Sequence, residues 1–326
     1  MHFDLDSEQR DLAAAAADFL GGSASPGVAR GLLDDAGAAI APGRVELVKS
    51  GFAAITVPES AGGGGGSVLD LAVVAEQAGR VLAGPSLVTF ARAAVLLDGD
   101  DTRLAALADG SLAVAIHDGG PVLDAVGADS FLTLAGDDIV IGSGTVTTRD
   151  PIDATRGLAD VEIGDTEVVA AGAADRWRTA RLVGQVVLAA EGLGTAARAV
   201  EVGIAYTKER HAFGRPIGSY QAVKHALVDA YVAVEQLRSL VWWGAWAADH
   251  APDELPLAAA AAKGQAAVAL EGAAETLIQV HGGIGFTWEH DAHLFWRRAK
   301  VDRFLLGDDV AAFDEVARIA LAGAGR

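Results

Sequence analysis

The feature that most constrains this chain is a seam of apolar side chains between Gly218 and His250. Val223, Leu227, Ala230, Val234, Leu237 and Val241 recur at alternating steps of four and three. A strand cannot use that spacing, whereas a long helix places every one of these residues on a single stripe that needs partner helices. Partners are available. Helical periodicity runs from about Thr179 to Lys208, and Pro256 is suited to start another helix that continues to Gln279 and stops at Gly282-Gly283. With the last segment these predict a four-helix bundle over residues 171–326. Alanine and glycine dominate a 51% hydrophobic content with only 6% aromatics, which suits close helix packing.

Residues 1–110 also read as helical. Asp6 or Ser7 can cap a helix carrying Leu12, Ala15, Ala16 and Phe19, and a second helix is expected over Val68–Val81. The run Gly62–Gly66 before it lacks a following Gly-Lys-Ser/Thr, so a flexible turn is expected and not a phosphate cradle. Between 111 and 170 the period becomes alternating. Ser111–Ile116, Phe131–Leu134, Asp138–Ser143 and Thr145–Thr148 read as short strands separated by Gly/Asp turns. The fold class is therefore mainly α with a small β insertion: an N-terminal helical domain, a reduced middle β domain and a C-terminal bundle.

A formal charge of −19 opposes nucleic-acid binding, and no apolar run is long enough to predict a membrane span. The start, Met1 to Asp6, has no basic flank followed by an apolar core, which argues against a signal peptide. With no cysteine, disulfides and thiolate chemistry are excluded, and a reducing cytoplasm is the simplest location. An anionic ligand needs a local basic patch in so acidic a chain. Two exist: Lys208, Arg210, His211, Arg215 and Lys224; and Arg297, Arg298, Lys300 and Arg303. Either can be an ordinary solvated face or a ligand site.

Tyr206–His225 and Gln279–Phe286 combine basic or amide side chains with sharp Gly/Pro breaks at helix ends, where anions are favoured. Arg210 offers a guanidinium fork that suits a pyrophosphate, and Phe213 can cover a ring or fill a core gap. Arg210-x-x-Phe213-Gly214, Gln221 eleven residues on from Arg210, and Gln279-x-x-Gly282-Gly283 together resemble the cofactor-contacting segments of the acyl-CoA dehydrogenase family of flavoenzymes. Ile55–Arg80 resembles that family's N-terminal helical domain. The resemblance implies that Arg210, Phe213, Gln221, Gln279, Gly282 and Gly283 contact FAD, the glycines by letting the dinucleotide approach bare backbone.

The same resemblance exposes what is missing. Family members desaturate acyl-CoA thioesters with a glutamate base; aligned on Lys300, this chain has Leu306 there, and leucine cannot take a proton. Some members place the base on the first bundle helix, where this chain has Gly184. Glu191 lies seven residues further along, at a position that commonly carries a structural glutamate in relatives, and Asp308 reaches the site only through a register shift. A carboxylate at Asp308 also stands where a hydroxyl residue helps bind pyrophosphate, and like charges about 4 Å apart cost on the order of 4 kcal/mol at a dielectric near 20. The family's Thr-Glu-Pro…Gly-Ser-Asp stretch is absent from the β region. The resemblance therefore implies a catalytically reduced subunit like those of actinobacterial α₂β₂ steroid-degrading enzymes. It would share FAD with a partner subunit that carries the glutamate, act on an acyl-CoA and pass electrons to an acceptor. Two alternatives stay open: a self-sufficient dehydrogenase using Asp308 or Glu191, and a flavin-free scaffold or regulatory partner. His281, His290 and His293 are expected to be structural or surface histidines, with no metal, and no Gly-x-Ser-x-Gly elbow supports a hydrolase.

Overall fold

The computed structural model describes residues 4–23, 26–34, 43–84 and 86–324. The first three residues of the start discussed above lie outside that set. Helix α1 (Ser7–Ser23) is capped by Asp6, whose Oδ1 accepts the Gln9 N–H at 2.8 Å while the Gln9 side chain accepts the Asp6 N–H at 3.2 Å. Short helices α2 (Pro26–Gly31) and α3 (Arg44–Lys49) follow, then α4 (Val68–Arg80), α5 (Leu87–Leu96) and α6 (Asp101–Asp109). Ser67 and Asp70 form a reciprocal capping box at the start of α4. The Gly62–Gly66 run is folded back, not loose: the N–H groups of Gly63 to Gly66 donate to carbonyls of Pro58, Ala54, Val57 and Ile55. Those amides are unavailable to a phosphate.

Four strands follow: β1 (Val114–Ile116), β2 (Ser130–Ala135), β3 (Asp138–Thr148) and β4 (Ala159–Ala170), in that spatial order. β1 runs parallel to β2, and the other pairs are antiparallel. The two runs expected at 138–143 and 145–148 are one strand with an irregularity at Gly142/Gly144. β4 adds to the expected strands: Ala159, Val161 and Ile163 alternate with polar residues or glycine along its first half, whereas residues 164–168 are exposed and carry no such pattern.

The bundle is built from α7 (Ala174–Glu209), α8 (Gln221–His250) and α9 (Leu255–His281), with α10 (Ala292–Asp302) and α11 (Asp309–Ala324) closing it. The seam residues Leu227, Ala230, Val234, Leu237 and Val241 of α8 are all buried. The last bundle segment is thus two helices, broken at 303–308. One apolar core runs through the N-terminal helices, the inner face of the sheet and the bundle, with a satellite around Phe131 and Val161. α4 and α7 cross at backbone contact. A Cβ on Gly79 would lie 1.9 Å from the Glu191 carbonyl oxygen, and one on Gly194 only 1.8 Å from that of Glu76.

A buried ion network ties the three regions together. The Arg156 guanidinium, in the loop before β4, donates to Glu191 of α7 at 2.6 Å and to Asp302 of α10 at 2.9 and 2.7 Å. Glu191 also accepts from the Ser86 hydroxyl at 3.1 Å and the Leu87 N–H at 3.0 Å, at the start of α5. Burial opposes the Arg156 charge, but Asp302 and Glu191 outweigh it and hold the proton more tightly than usual.

Candidate functional site

The two motif segments meet at one end of the bundle, where α7 and α9 finish and α8 begins. Tyr206 stacks on His281 with ring centroids 3.9 Å apart, which joins the end of α7 to the end of α9. Beyond Glu209 the chain makes a two-residue hairpin, His211–Ala212 (β5) pairing with Arg215–Pro216 (β6). Its tip, Phe213 and Gly214, has φ of 53° and 79°. The left-handed conformation is natural for glycine but unfavourable for phenylalanine. The hairpin is held by Ile217 N–H donating to the Arg210 carbonyl at 2.8 Å, by Tyr220 O–H donating to the Ala212 carbonyl at 3.0 Å, and by Arg215 stacked 4.0 Å over the Tyr220 ring. Phe213 is left 95% exposed.

Arg210, Gln221, Gln279, Gly282 and Gly283 are exposed at the same end. Among the described residues no side-chain hydrogen bond or ion pair engages Arg210, Gln221 or Gln279, and a Cβ on Gly282 or Gly283 would meet nothing within 4 Å. Lys208, His211, Arg215 and Lys224 surround Arg210 in sequence and are exposed too. The second basic patch is different. Arg298 is buried against Asp153 at 2.6 Å, Arg303 pairs with Glu271 and Asp309 at 2.8 Å each, Lys300 pairs with Glu271, and Arg297 donates to the Ile152 carbonyl at 2.9 Å. Arg298, Lys300 and Arg303 are thus neutralised by internal carboxylates, and Arg297 is held by a carbonyl, so the patch is not a set of four free cations.

A cavity of about 800 Å³ opens between α5, the segment after β1, residues 149–152, α7 and the 304–307 turn. Leu306 and its neighbour Gly307 line it, and Leu306 has φ 59° with its carbonyl accepting from Gln185 at 2.9 Å. Gly184 faces the same spot: a Cβ there would lie 2.6 Å from Arg92 Cδ and 3.0 Å from Leu306 Cδ1. The fold therefore brings together both positions where a base was sought, and the stem of Arg92 fills the space between them. Arg92 is 3% exposed on α5 and donates to both oxygens of Asp118 at 2.5 and 2.7 Å.

The fallback carboxylates lie elsewhere. Glu191 is consumed by the Arg156 network, and Asp308 caps α11, its Oδ1 accepting the Ala311 N–H at 2.8 Å; neither lines the cavity. The carboxylates that do are Asp118 and Asp150. Sequence reasoning missed Arg92, Asp118 and Arg181. One signal was available for the first: an arginine in the middle of the apolar run Leu87–Leu96 needs a buried partner. The His281 and His290 rings lie 4.2 Å apart, tilted by 42°, and His293 lies edge-on to Trp288 at 5.2 Å. Among the described residues no group of three potential ligands converges on a metal position. No helix among them is long and apolar enough to cross a membrane.

Comparison with known proteins gives two domain matches, one on each side of the sheet. Residues 6–99 match the acyl-CoA dehydrogenase N-terminal domain and residues 179–321 the acyl-CoA dehydrogenase C-terminal domain. Acyl-CoA dehydrogenase IpdE2 of Mycolicibacterium smegmatis is 36% identical over 263 residues, 79% of this chain and 80% of that protein. Among solved structures, a Tcur3481–Tcur3483 steroid ACAD superposes with TM-score 0.83 at 24% identity, covering 98% of this chain and 99% of that one. The ChsE4–ChsE5 complex from Mycobacterium tuberculosis gives TM-score 0.81 at 23% identity, covering 98% of each chain.

Proposed function

This chain belongs to the acyl-CoA dehydrogenase family, and we propose that it is the base-free subunit of a heteromeric, FAD-dependent member. When bound, FAD supplies the hydride acceptor for α,β-desaturation of an acyl-CoA thioester. The bundle end fits that cofactor. Arg210 presents a guanidinium without an internal partner, and Gly282 and Gly283 leave open space where side chains would stand. Phe213 holds its ring in solvent at a conformational cost of about 1 kcal/mol or more. Groups arranged in this way serve something outside the chain. In this reading Arg210 binds the pyrophosphate of a flavin held mainly by the partner, and Gln221, Gln279 and the glycines orient it. The partner contributes the proton-abstracting glutamate and most of the acyl pocket.

The observation that carries the proposal is the packing of Leu306, Gly184 and Arg92. Both places for a base are occupied by groups that cannot accept a proton, and Asp118 pins the arginine that fills the gap. The relatives support a heteromer, since two solved neighbours are described as a steroid ACAD and as a two-component complex. A steroid-derived acyl-CoA is the corresponding substrate class. The experiment is co-purification with an acyl-CoA dehydrogenase chain that carries the glutamate. The complex is expected to be yellow and active, the chain alone colourless and inactive, and Arg210→Ala to weaken flavin retention by about tenfold or more. A yellow, active homomer of this chain overturns the reading. A complex without flavin points instead to a scaffold.

A further inference from the structure

The cavity behind Leu306 retains features that a merely vacated site does not need. Most of its wall is apolar, with Val88, Leu188, Trp296, Phe304 and Leu305 among the lining residues. Arg92, Arg149, Arg181 and Lys300 also line it, against Asp118 and Asp150. Three of the four cations are neutralised locally: Arg92 by Asp118, Arg149 by Asp160 at 2.5 Å, and Lys300 by Glu271. Arg181 is not. Among the described residues its half-buried guanidinium has no hydrogen bond or ion pair, and it reaches within 3.5 Å of where a Cβ on Gly307 would stand. A second unmet donor is the buried Nε of Arg92, which has no partner although both terminal nitrogens are bonded. A buried donor left unpaired costs about 1–3 kcal/mol. In a chain of charge −19, a free guanidinium on an apolar wall attracts an anion that bulk electrostatics would otherwise repel.

We propose that this cavity binds a carboxylate carried on an apolar body, with the carboxylate at Arg181 beside the Leu306–Gly307 turn. One uncompensated guanidinium matches one negative charge, and its fork matches the two oxygens of a carboxylate. Asp150 is exposed and screened by solvent, so it does not cancel that match. The apolar lining selects against inorganic anions and takes a hydrocarbon or ring body. Leucine at 306 is part of the site: a carboxylate side chain there would repel the ligand's head, so the residue that removes the base also admits the anion. The ligand is thus a free acid and not a thioester. The inference goes beyond the shared-flavin reading: it concerns the cavity behind Leu306 and not the flavin-contacting bundle end, and its test needs neither flavin nor turnover.

The test uses the full-length purified chain, with 1-pyrenebutyrate as a fluorescent carboxylate and 1-pyrenebutanol as its neutral counterpart, titrated by anisotropy. The carboxylate is expected to bind at one site per chain, about tenfold more tightly than the alcohol. Arg181→Gln is expected to remove that advantage while leaving alcohol binding and the melting temperature unchanged, because the side chain has no internal partner to lose. Octanoate should displace the probe better than octanoyl-CoA. Equal binding of acid and alcohol, an Arg181→Gln chain that still prefers the acid, or tighter displacement by octanoyl-CoA each overturns the proposal. The preference between the two probes is read on the unaltered chain, so it stands even if a variant fails to fold.

Discussion

Asp124 is a carboxyl group placed where a carboxylate is disfavoured. It is buried, accepts from the Thr89 hydroxyl at 2.5 Å and the Ser86 N–H at 3.3 Å, and sits at φ 58°. Burial pushes its pKa from 3.8 up to about 6, against the opposing pull of Thr89 and Arg44. The folded chain therefore binds this proton more tightly than the unfolded chain between those pH values, and stability falls as pH rises through the window. Asp124→Asn removes the charge and places asparagine in a left-handed conformation it tolerates well. At pH 7 it should stabilise the chain by up to about 3 kcal/mol, and melting temperature against pH should flatten between about 4 and 6. Glu191 gives a contrasting prediction. Its carboxylate balances a buried arginine, so Glu191→Gln should lower the denaturation free energy by about 3 kcal/mol without abolishing turnover of the partnered complex. Lost turnover with unchanged stability would instead identify Glu191 as the base of a self-sufficient enzyme.

At the scale of elements, the closest contact is the crossing of α4 and α7, where glycines stand against backbone and not against flexible side chains. Gly194→Ala should destabilise by about 3 kcal/mol or more, because neither helix can retreat without opening the core. Gly272→Ala should do the opposite. That position is on the exposed face of α9 with nothing within 4 Å, so the substitution should stabilise by about 0.5–1 kcal/mol. Denaturant midpoints of the two variants separate the cases. The long helices were legible in the sequence because their apolar stripes and Gly/Pro stops are local signals. β4 was legible only in its first half, where Ala159, Val161 and Ile163 alternate; the exposed run 164–168 is specified by pairing with β3 and by little in its own side chains. The break between α10 and α11 does have a local signal, a glycine in the left-handed region at 307 followed by the capping Asp308.

For the molecule as a whole, Arg156 is the joint. It connects the sheet region to α7 and α10, and through Glu191 to the start of α5, from a position 0% exposed. Arg156→Ala leaves two buried carboxylates without their cation and should cost about 3–5 kcal/mol. Far-UV and tryptophan signals should shift to a lower melting temperature together, since the network spans every region; separate transitions would show that the regions unfold independently. The sequence by itself determined the helical class, the family likeness and the presence of leucine, a side chain without a proton acceptor, at 306, because periodicity, turn residues and motif spacing are written along the chain. Only the tertiary structure decided that Leu306, Gly184 and Arg92 share one spot, that Arg298, Lys300 and Arg303 of the second basic patch are neutralised internally, and that Arg181 faces an apolar cavity unpaired. Those groups come from segments up to about two hundred residues apart, and the packing that juxtaposes them belongs to no single stretch of the chain.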